Sequence, residues 1–260
     1  VVFAYILTHL INHTLGLHSI EAMDEGRKAF LALWRNPIGT PVLYLALISH
    51  MGLSLWGVYQ RQHLHMRFWE MAQLISGLII PFLLTLHILG TRFAHEIYGV
   101  EDNYIYVLYS IVVYDINAAY RQIILMALGW VHGCVGIHYW LRYKPNYENY
   151  KPIALSFAVV IPVISLAGFY VASLEIIELA SNKQWVSYFF SGYNLPSAEE
   201  ASDIYRLETF IQIGFVILIA TVIVGRFVRH AIQRWQGTFK VIYPDGKSMR
   251  AIKGTSLLDV

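Results

Sequence analysis

Six stretches of this 260-residue chain contain no Asp, Glu, Lys or Arg: 1–20, 41–60, 71–91, 122–141, 152–174 and 209–225. Each approaches or exceeds the roughly 17–25 apolar residues that a helix needs to cross a hydrocarbon core. In lipid every backbone N–H and C=O must be bonded within its own element, so a stretch this long can only be a helix. The predicted fold class is therefore an all-α membrane protein, a six-transmembrane-helix bundle. Composition agrees: 57% of residues are hydrophobic, mean hydropathy is +0.49 and only 14% are charged, against about a quarter in ordinary globular chains. The first stretch opens at Val1 with no basic segment and no small-residue cleavage site. It does not read as a signal peptide, and the chain is expected to be a fragment lacking its own N-terminus.

The loops set the orientation. Connections 61–70 and 142–151 hold five basic residues in twenty positions: Arg61, Arg67, Arg142, Lys144 and Lys151. The loops at 21–40, 92–121 and 175–208 hold seven in eighty-four, and Arg226, Arg229 and Arg234 follow the last stretch. Basic residues near span ends stay on the cytoplasmic side, so both termini are expected there. The 21–40 segment mixes Phe30, Leu31, Leu33 and Trp34 with charges and reads as a short helix at the outer interface. Pro81 and Pro162 fall inside spans, where neighbouring helices can satisfy the carbonyls they free. A formal charge of +2 with no basic stripe gives no nucleic-acid signal, and the single cysteine, Cys134, cannot build a disulfide framework or an iron–sulfur site by itself.

Composition shifts at Gly237. The remainder, TFKVIYPDGKSMRAIKGTSLLDV, alternates apolar and polar residues on both sides of Asp245-Gly246, a hairpin signal. Thr255 or Ser256 would cap a further helix. The predicted division is a membrane domain over 1–237 and, over 238–260, the start of a β-hairpin opening a soluble cytoplasmic domain.

Eleven histidines are present, and six lie within or beside the spans: His9, His13, His50, His87, His132 and His138. His63, His65 and His230 fall in basic cytoplasmic segments and read as solvated; His18 and His95 stand at outer span ends. A polar side chain inside a span is costly and ordinarily faces the bundle interior with a partner. One such histidine is explained by an interhelical hydrogen bond, worth about 0.6 kcal/mol on average; four successive helices, each with its own, ask for more. Proton relays need carboxylates, and these spans have none. A zinc site would need its ligands to converge at one depth. Instead His50, nine residues after Pro41 on an inward-running helix, and His132, ten after Gln122 on another, share a depth, while His87, sixteen after Met71 on an outward-running helix, lies toward the outside. Two levels of paired histidines suit two bis-histidine haems stacked across a membrane.

Glycines share the histidine faces at helical spacing: Gly16 with His9, Gly57 with His50, Gly90 with His87, and Gly129 and Gly136 with His132. A porphyrin lying against a helix needs such missing side chains; close helix packing uses them equally well. His9 and His13 share a face, so either can serve as ligand. His132 and His138 are about 240° apart on their helix, so His138 cannot face the same haem; it could line a quinone pocket or contact a propionate. Arg92 and Arg121, at outer span ends, are candidate propionate partners.

These four segments resemble the diheme cytochrome b subunit of succinate dehydrogenases and fumarate reductases. THLINH is similar to that family's first-helix histidine, SHMGLSLWGVY to its second-helix pattern, LHILGTRFAHE to its third and VHGCVGIHYW to its fourth. The similarity covers about residues 1–145. It implies a haem-binding four-helix core with two haem b, His9 with His87 on the outer and His50 with His132 on the inner; those four are the iron ligands it implies. A sixth span and the fused tail depart from the respiratory subunit. The tail looks like the opening hairpin of a plant-type (2Fe–2S) ferredoxin domain, and a six-helix anchor before such a domain resembles the N-terminal half of a group of bacterial class III adenylate/guanylate cyclases. That resemblance implies a multi-pass anchor in a bacterial inner membrane, surrounded by lipid and dimeric because class III catalytic sites form between two domains. It would relay the redox state of a quinone pool to a cyclase making cAMP. No catalytic residue of a cyclase lies in these 260 residues. The alternative is a quinone-reactive electron-transfer subunit of the respiratory type, and a third possibility is a cofactor-free dimerising anchor.

Overall fold

The computed structural model describes residues 1–252 except 62, 64, 236, 244, 245 and 247. Ten helices are described: α1 (Val2–Thr14), α2 (Ile20–Trp34), α3 (Gly39–Gln60), α4 (Phe68–Ile88), α5 (Ala94–Tyr98), α6 (Tyr104–Leu108), α7 (Ile116–Leu141), α8 (Tyr147–Ser181), α9 (Lys183–Gly192) and α10 (Ala198–Trp235); two strands follow, β1 (Thr238–Ile242) and β2 (Ser248–Ile252). Asp245, Thr255 and Ser256 lie outside the described residues.

Among the described residues, five helical stretches are long and apolar enough to cross a membrane: Gly39–Gln60, Phe68–Tyr98, Ile116–Leu141, Tyr147–Ser181 and Ala198–Trp235. The architecture is an all-α bundle of the multi-pass membrane type. The first predicted span, 1–20, is helical but shorter. α1 ends at Thr14 and tightens into a 3₁₀ turn over Leu15–Leu17, about 24 Å of helix at 1.5 Å per residue, below the roughly 30 Å of a hydrocarbon core. The predicted outer loops are largely helical, because α8 and α10 run well past their uncharged stretches and α2, α6 and α9 fill the connections.

Side-chain caps explain where several of these helices start. Ser19 accepts from the Ala22 amide at α2, Asn103 from Tyr106 at α6, Asp115 from Asn117 at α7 and Asn182 from Gln184 at α9; each oxygen satisfies an amide that the first turn leaves unpaired. α5 stops at Gly99, which adopts φ +69°, a left-handed geometry that costs glycine nothing.

The chain divides into two compact units, Val1–Ala46 with Arg67–Gln212, and Leu47–Met66 with Ile213–Val260. In the first, α1 meets α8 backbone to backbone. A Cβ on Gly16 would lie 2.4 Å from the Gly168 carbonyl oxygen, and one on Gly168 would lie 2.1 Å from that of His13. One turn away the buried Ser165 hydroxyl reaches the Leu10 carbonyl at 2.7 Å. Ile20, Met23, Tyr104, Leu108, Ala172 and Ile176 form the adjoining apolar core. Asn12, buried beside it, donates to the Met23 carbonyl and to the Tyr104 hydroxyl at 3.0 and 2.8 Å, and burial pushes the Tyr104 phenol pKa above the ordinary tyrosine value. Pro162 removes the amide that would bond the Ala158 carbonyl; the Trp130 indole N–H of α7 takes its place at 2.7 Å. The second unit contains the C-terminal parts of α3 and α10, and β1 paired antiparallel with β2, Thr238 opposite Ile252 and Ile242 opposite Ser248.

Candidate functional site

In the first unit, α1 and α4 bring three histidines together. The His9 and His87 ring centroids are 6.0 Å apart, with planes at 65°, and His13 lies 4.6 Å from His9 along the same helix. His13 is held by the Gly16–Gly168 contact and by rings on two sides, Tyr104 at 5.7 Å and Phe169 at 6.2 Å. Its Nδ1 is buried with no hydrogen-bond partner. Immediately after His87 the helix widens into a π-helical turn over Leu89–Phe93, a feature that frequently marks functional sites. Thr91 donates to the His87 carbonyl at 2.6 Å, and the Tyr106 hydroxyl donates to that of Gly90 at 3.3 Å. The backbone around His87 is thereby fixed although the regular ladder is interrupted.

His132 is placed by α4. Its Nδ1 lies 3.0 Å from the Ser76 hydroxyl, and its carbonyl accepts from the Gln73 amide at 2.9 Å. A Cβ on Gly77 would sit 3.0 Å from His132 Cε1, so this glycine seats the ring. Gln73 and Ser76 are functional candidates that sequence reasoning missed. Their spacing of three on the helix facing α7 was the available signal, but a Gln and a Ser in a span carry no metal or redox signature on their own.

The glycines divide into two kinds. Gly16 and Gly168 serve backbone contact, and Gly136 leaves room for Gln73, whose amide nitrogen would lie 3.4 Å from a Cβ there. Around Gly90, Gly129 and Gly57 a Cβ would meet nothing within 4 Å. Gly129 is nonetheless buried, so open space adjoins α7 one turn from His132.

His50 and Gly57 belong to α3 in the second unit, where the Ser54 hydroxyl bonds back to the His50 carbonyl at 2.7 Å. His138 is near the other end of α7 from Arg121, its Nδ1 2.9 Å from the Tyr147 hydroxyl. Arg92 pairs with Glu96 at 3.2 Å, beside a cleft of about 240 Å³ bordered by Tyr44, Leu89 and Phe93. Arg121 pairs with Glu208 at 3.4 Å, and its Nε is buried without a hydrogen-bond partner.

Two charged constellations were not foreseen. Asp102, nearly buried, receives Arg35 through both carboxylate oxygens and Arg27 at 3.3 Å, tying α2 to the 99–103 turn. In the second unit Arg226, Arg229 and His230 of α10 converge on the C-terminal carbonyls of α3: Arg229 on Gln60 at 2.9 Å, Arg226 and His230 on Arg61 at 3.1 and 3.2 Å. Cations at a helix C-terminus satisfy its unpaired carbonyls and oppose its dipole. His230, read from sequence as solvated, is part of this clamp.

No known protein family, curated protein or solved structure matches the chain. Among the described residues no three His, Cys, Asp or Glu side chains cluster as a metal site. His9 and His87 fit a planar group held between two imidazoles. Two imidazole nitrogens about 2 Å from one ion, each roughly 1 Å from its ring centre, put the centroids about 6 Å apart, the separation of His9 and His87. Gly90 and Gly129 leave space beside histidines, and His13 Nδ1 and Arg121 Nε are buried polar atoms that still lack partners.

Proposed function

We propose that the chain is a haem b-binding membrane anchor of a bacterial inner membrane, with both termini in the cytoplasm, that relays redox state to a cytoplasmic output. The observation that carries this reading is the approach of His9 to His87, two imidazoles from different helices with ring centroids 6.0 Å apart. His9 is preferred to His13 as the partner of His87, because His13 is wedged between Tyr104 and Phe169. His132 and His50 are each assigned as a haem ligand within its own unit. When bound, each haem supplies a one-electron redox centre.

The residues of the chain do the rest. Histidines hold the iron, glycines leave room for the macrocycle, and Arg121 and Arg92 offer positive charge to propionates. The short α1 completes a sixth membrane segment in this reading. α3 carries His50, and its last carbonyls are gripped by α10, which leads directly into β1. Redox-dependent shifts of α3 are thereby passed to the strands, which open a ferredoxin-like domain carrying a 2Fe–2S cluster and, beyond it, a dimeric class III cyclase. His138 and the cleft at Arg92 are places for a quinone to exchange electrons.

The purified full-length protein, mixed anaerobically with a reduced menaquinone analogue, tests this. Growth of a reduced haem α-band together with altered cAMP synthesis supports it. A protein that carries haem but whose cyclase output is indifferent to redox state supports the respiratory alternative, and a protein without haem contradicts both.

A further inference from the structure

At the corner between α7 and α8, aromatic rings rather than carboxylates hold two cations in place. The Arg142 guanidinium carbon lies 4.6 Å from the centroids of both the Tyr139 and the Tyr143 rings, and the guanidinium also donates to the Tyr143 hydroxyl. Lys144 Nζ lies 5.7 Å from the Trp140 ring centroid. A ring face attracts a cation through its quadrupole but leaves the charge uncancelled. Among the described residues neither cation pairs with a carboxylate, whereas Lys151 of the same connection reaches Glu148 at 3.0 Å. We propose that this corner binds the phosphodiester headgroup of an anionic phospholipid, with Arg142 and Lys144 as its anion-binding residues.

The corner has the depth, the exposure and the stiffness that this requires. The uncharged stretches 122–141 and 152–174 end on either side of it, so residues 142–151 stand at the edge of the hydrocarbon, where headgroups lie. Trp140, Tyr143 and Tyr150 are 63%, 76% and 64% exposed, and amphipathic rings of this kind settle at headgroup level. Backbone bonds fix the turn: the Arg142 amide donates to the His138 carbonyl at 2.9 Å and the Lys144 amide to that of Leu141 at 2.8 Å. Asn146 takes a left-handed φ of 66°, which asparagine tolerates, and the Tyr147 hydroxyl meets His138 Nδ1 at 2.9 Å. An arginine seated against two rings is oriented before its ligand arrives, so binding costs less side-chain entropy. Its planar fork matches two oxygens of one phosphate, and Lys144 adds a point charge. Both cations also oppose the dipole at the end of α7, a role that needs their charge but not the rings.

The test is native mass spectrometry of the delipidated full chain in detergent, titrated with phosphatidylglycerol or with phosphatidylcholine of the same acyl chains. The wild type should bind phosphatidylglycerol more tightly than phosphatidylcholine. That preference should fall about fivefold in Arg142→Gln, the weight of one basic residue near an anionic surface. Arg142→Lys and Tyr143→Leu keep the net charge and should also lose affinity, because the guanidinium or its seat is gone. Lys151→Gln removes a charge from the same connection and should stay near the wild type. Equal binding of the two lipids by the wild type, or equal losses in Arg142→Gln and Lys151→Gln, overturns the site and leaves a diffuse basic surface. Displacement of bound phosphatidylglycerol by inorganic phosphate overturns the lipid as its occupant, since an anion alone then suffices. If Arg142→Gln does not accumulate, Lys144→Gln takes its place in the same comparison, with the same loss expected and an unchanged preference counting against the proposal.

Discussion

Trp130 gives its indole N–H to the Ala158 carbonyl, the acceptor that Pro162 leaves without its helical donor. The proline opens the α8 ladder at one point, and α7 closes it there. Trp130→Phe keeps most of the ring and removes the donor. Leaving the carbonyl unpaired in an apolar setting should cost about 1–3 kcal/mol, read as a lower unfolding temperature in detergent. The same substitution in a Pro162→Ala background should cost less, because the helix then supplies its own donor.

Gly168 and Gly90 test the two uses of glycine against each other. A Cβ at Gly168 would lie 2.1 Å from the His13 carbonyl oxygen, so Gly168→Ala must push α1 from α8, at about 1–3 kcal/mol. At Gly90 a Cβ meets nothing within 4 Å. Gly90→Ala should leave the haem-free fold unchanged or firmer, by up to about 1 kcal/mol, while lowering the haem retained per chain. Equal losses of stability in the two variants would contradict the distinction.

Much of this was legible in the sequence, and what was not follows from contact rather than composition. Uncharged length alone announces the membrane helices, because bilayer thickness fixes a count of residues. Helical spacing places Gly90 on the face of His87 and Gly129 on that of His132. Spacing could not tell Gly136 or Gly16, which serve Gln73 and Gly168, from glycines beside open space, since the difference lies in what another helix presents. Nor could it assign Ser76 to His132, 56 residues away. The helical stretch 104–114 was hidden because its register passes through a π-helical turn and its caps, Asn103 and Asp115, flank a run that reads as a loop.

Asp102 is the electrostatic pin between α2 and the 99–103 turn. Its side chain is 6% exposed and faces the guanidinium groups of Arg27 and Arg35. Asp102→Asn leaves two arginines around a neutral amide, and breaking a buried pair in this way should cost about 3 kcal/mol or more. Thermal unfolding and hydrogen exchange of α2 amides check this; unaltered α2 protection would mean that the helix is held by its apolar face alone.

The α3 clamp makes a prediction about the C-terminal end of that helix. Arg229→Ala removes the bond to the Gln60 carbonyl and the stacking of the guanidinium 4.9 Å above the Tyr59 ring. The end of α3 should fray, and tryptic cleavage after Arg61 should speed up several-fold while sites at 142–151 are cut at the wild-type rate. Uniform acceleration at both places would indicate global destabilisation instead.

The central claim is that the membrane histidines hold haem, and a pyridine haemochrome assay on the detergent-purified chain, with oxidised and dithionite-reduced spectra, tests it most directly. The expected result is about two haem b per chain with low-spin bis-histidine bands, falling by one in His87→Ala and by one in His132→Ala. A chain that remains colourless after haem-replete expression, yet is folded and monodisperse, contradicts the claim and leaves these histidines as packing residues.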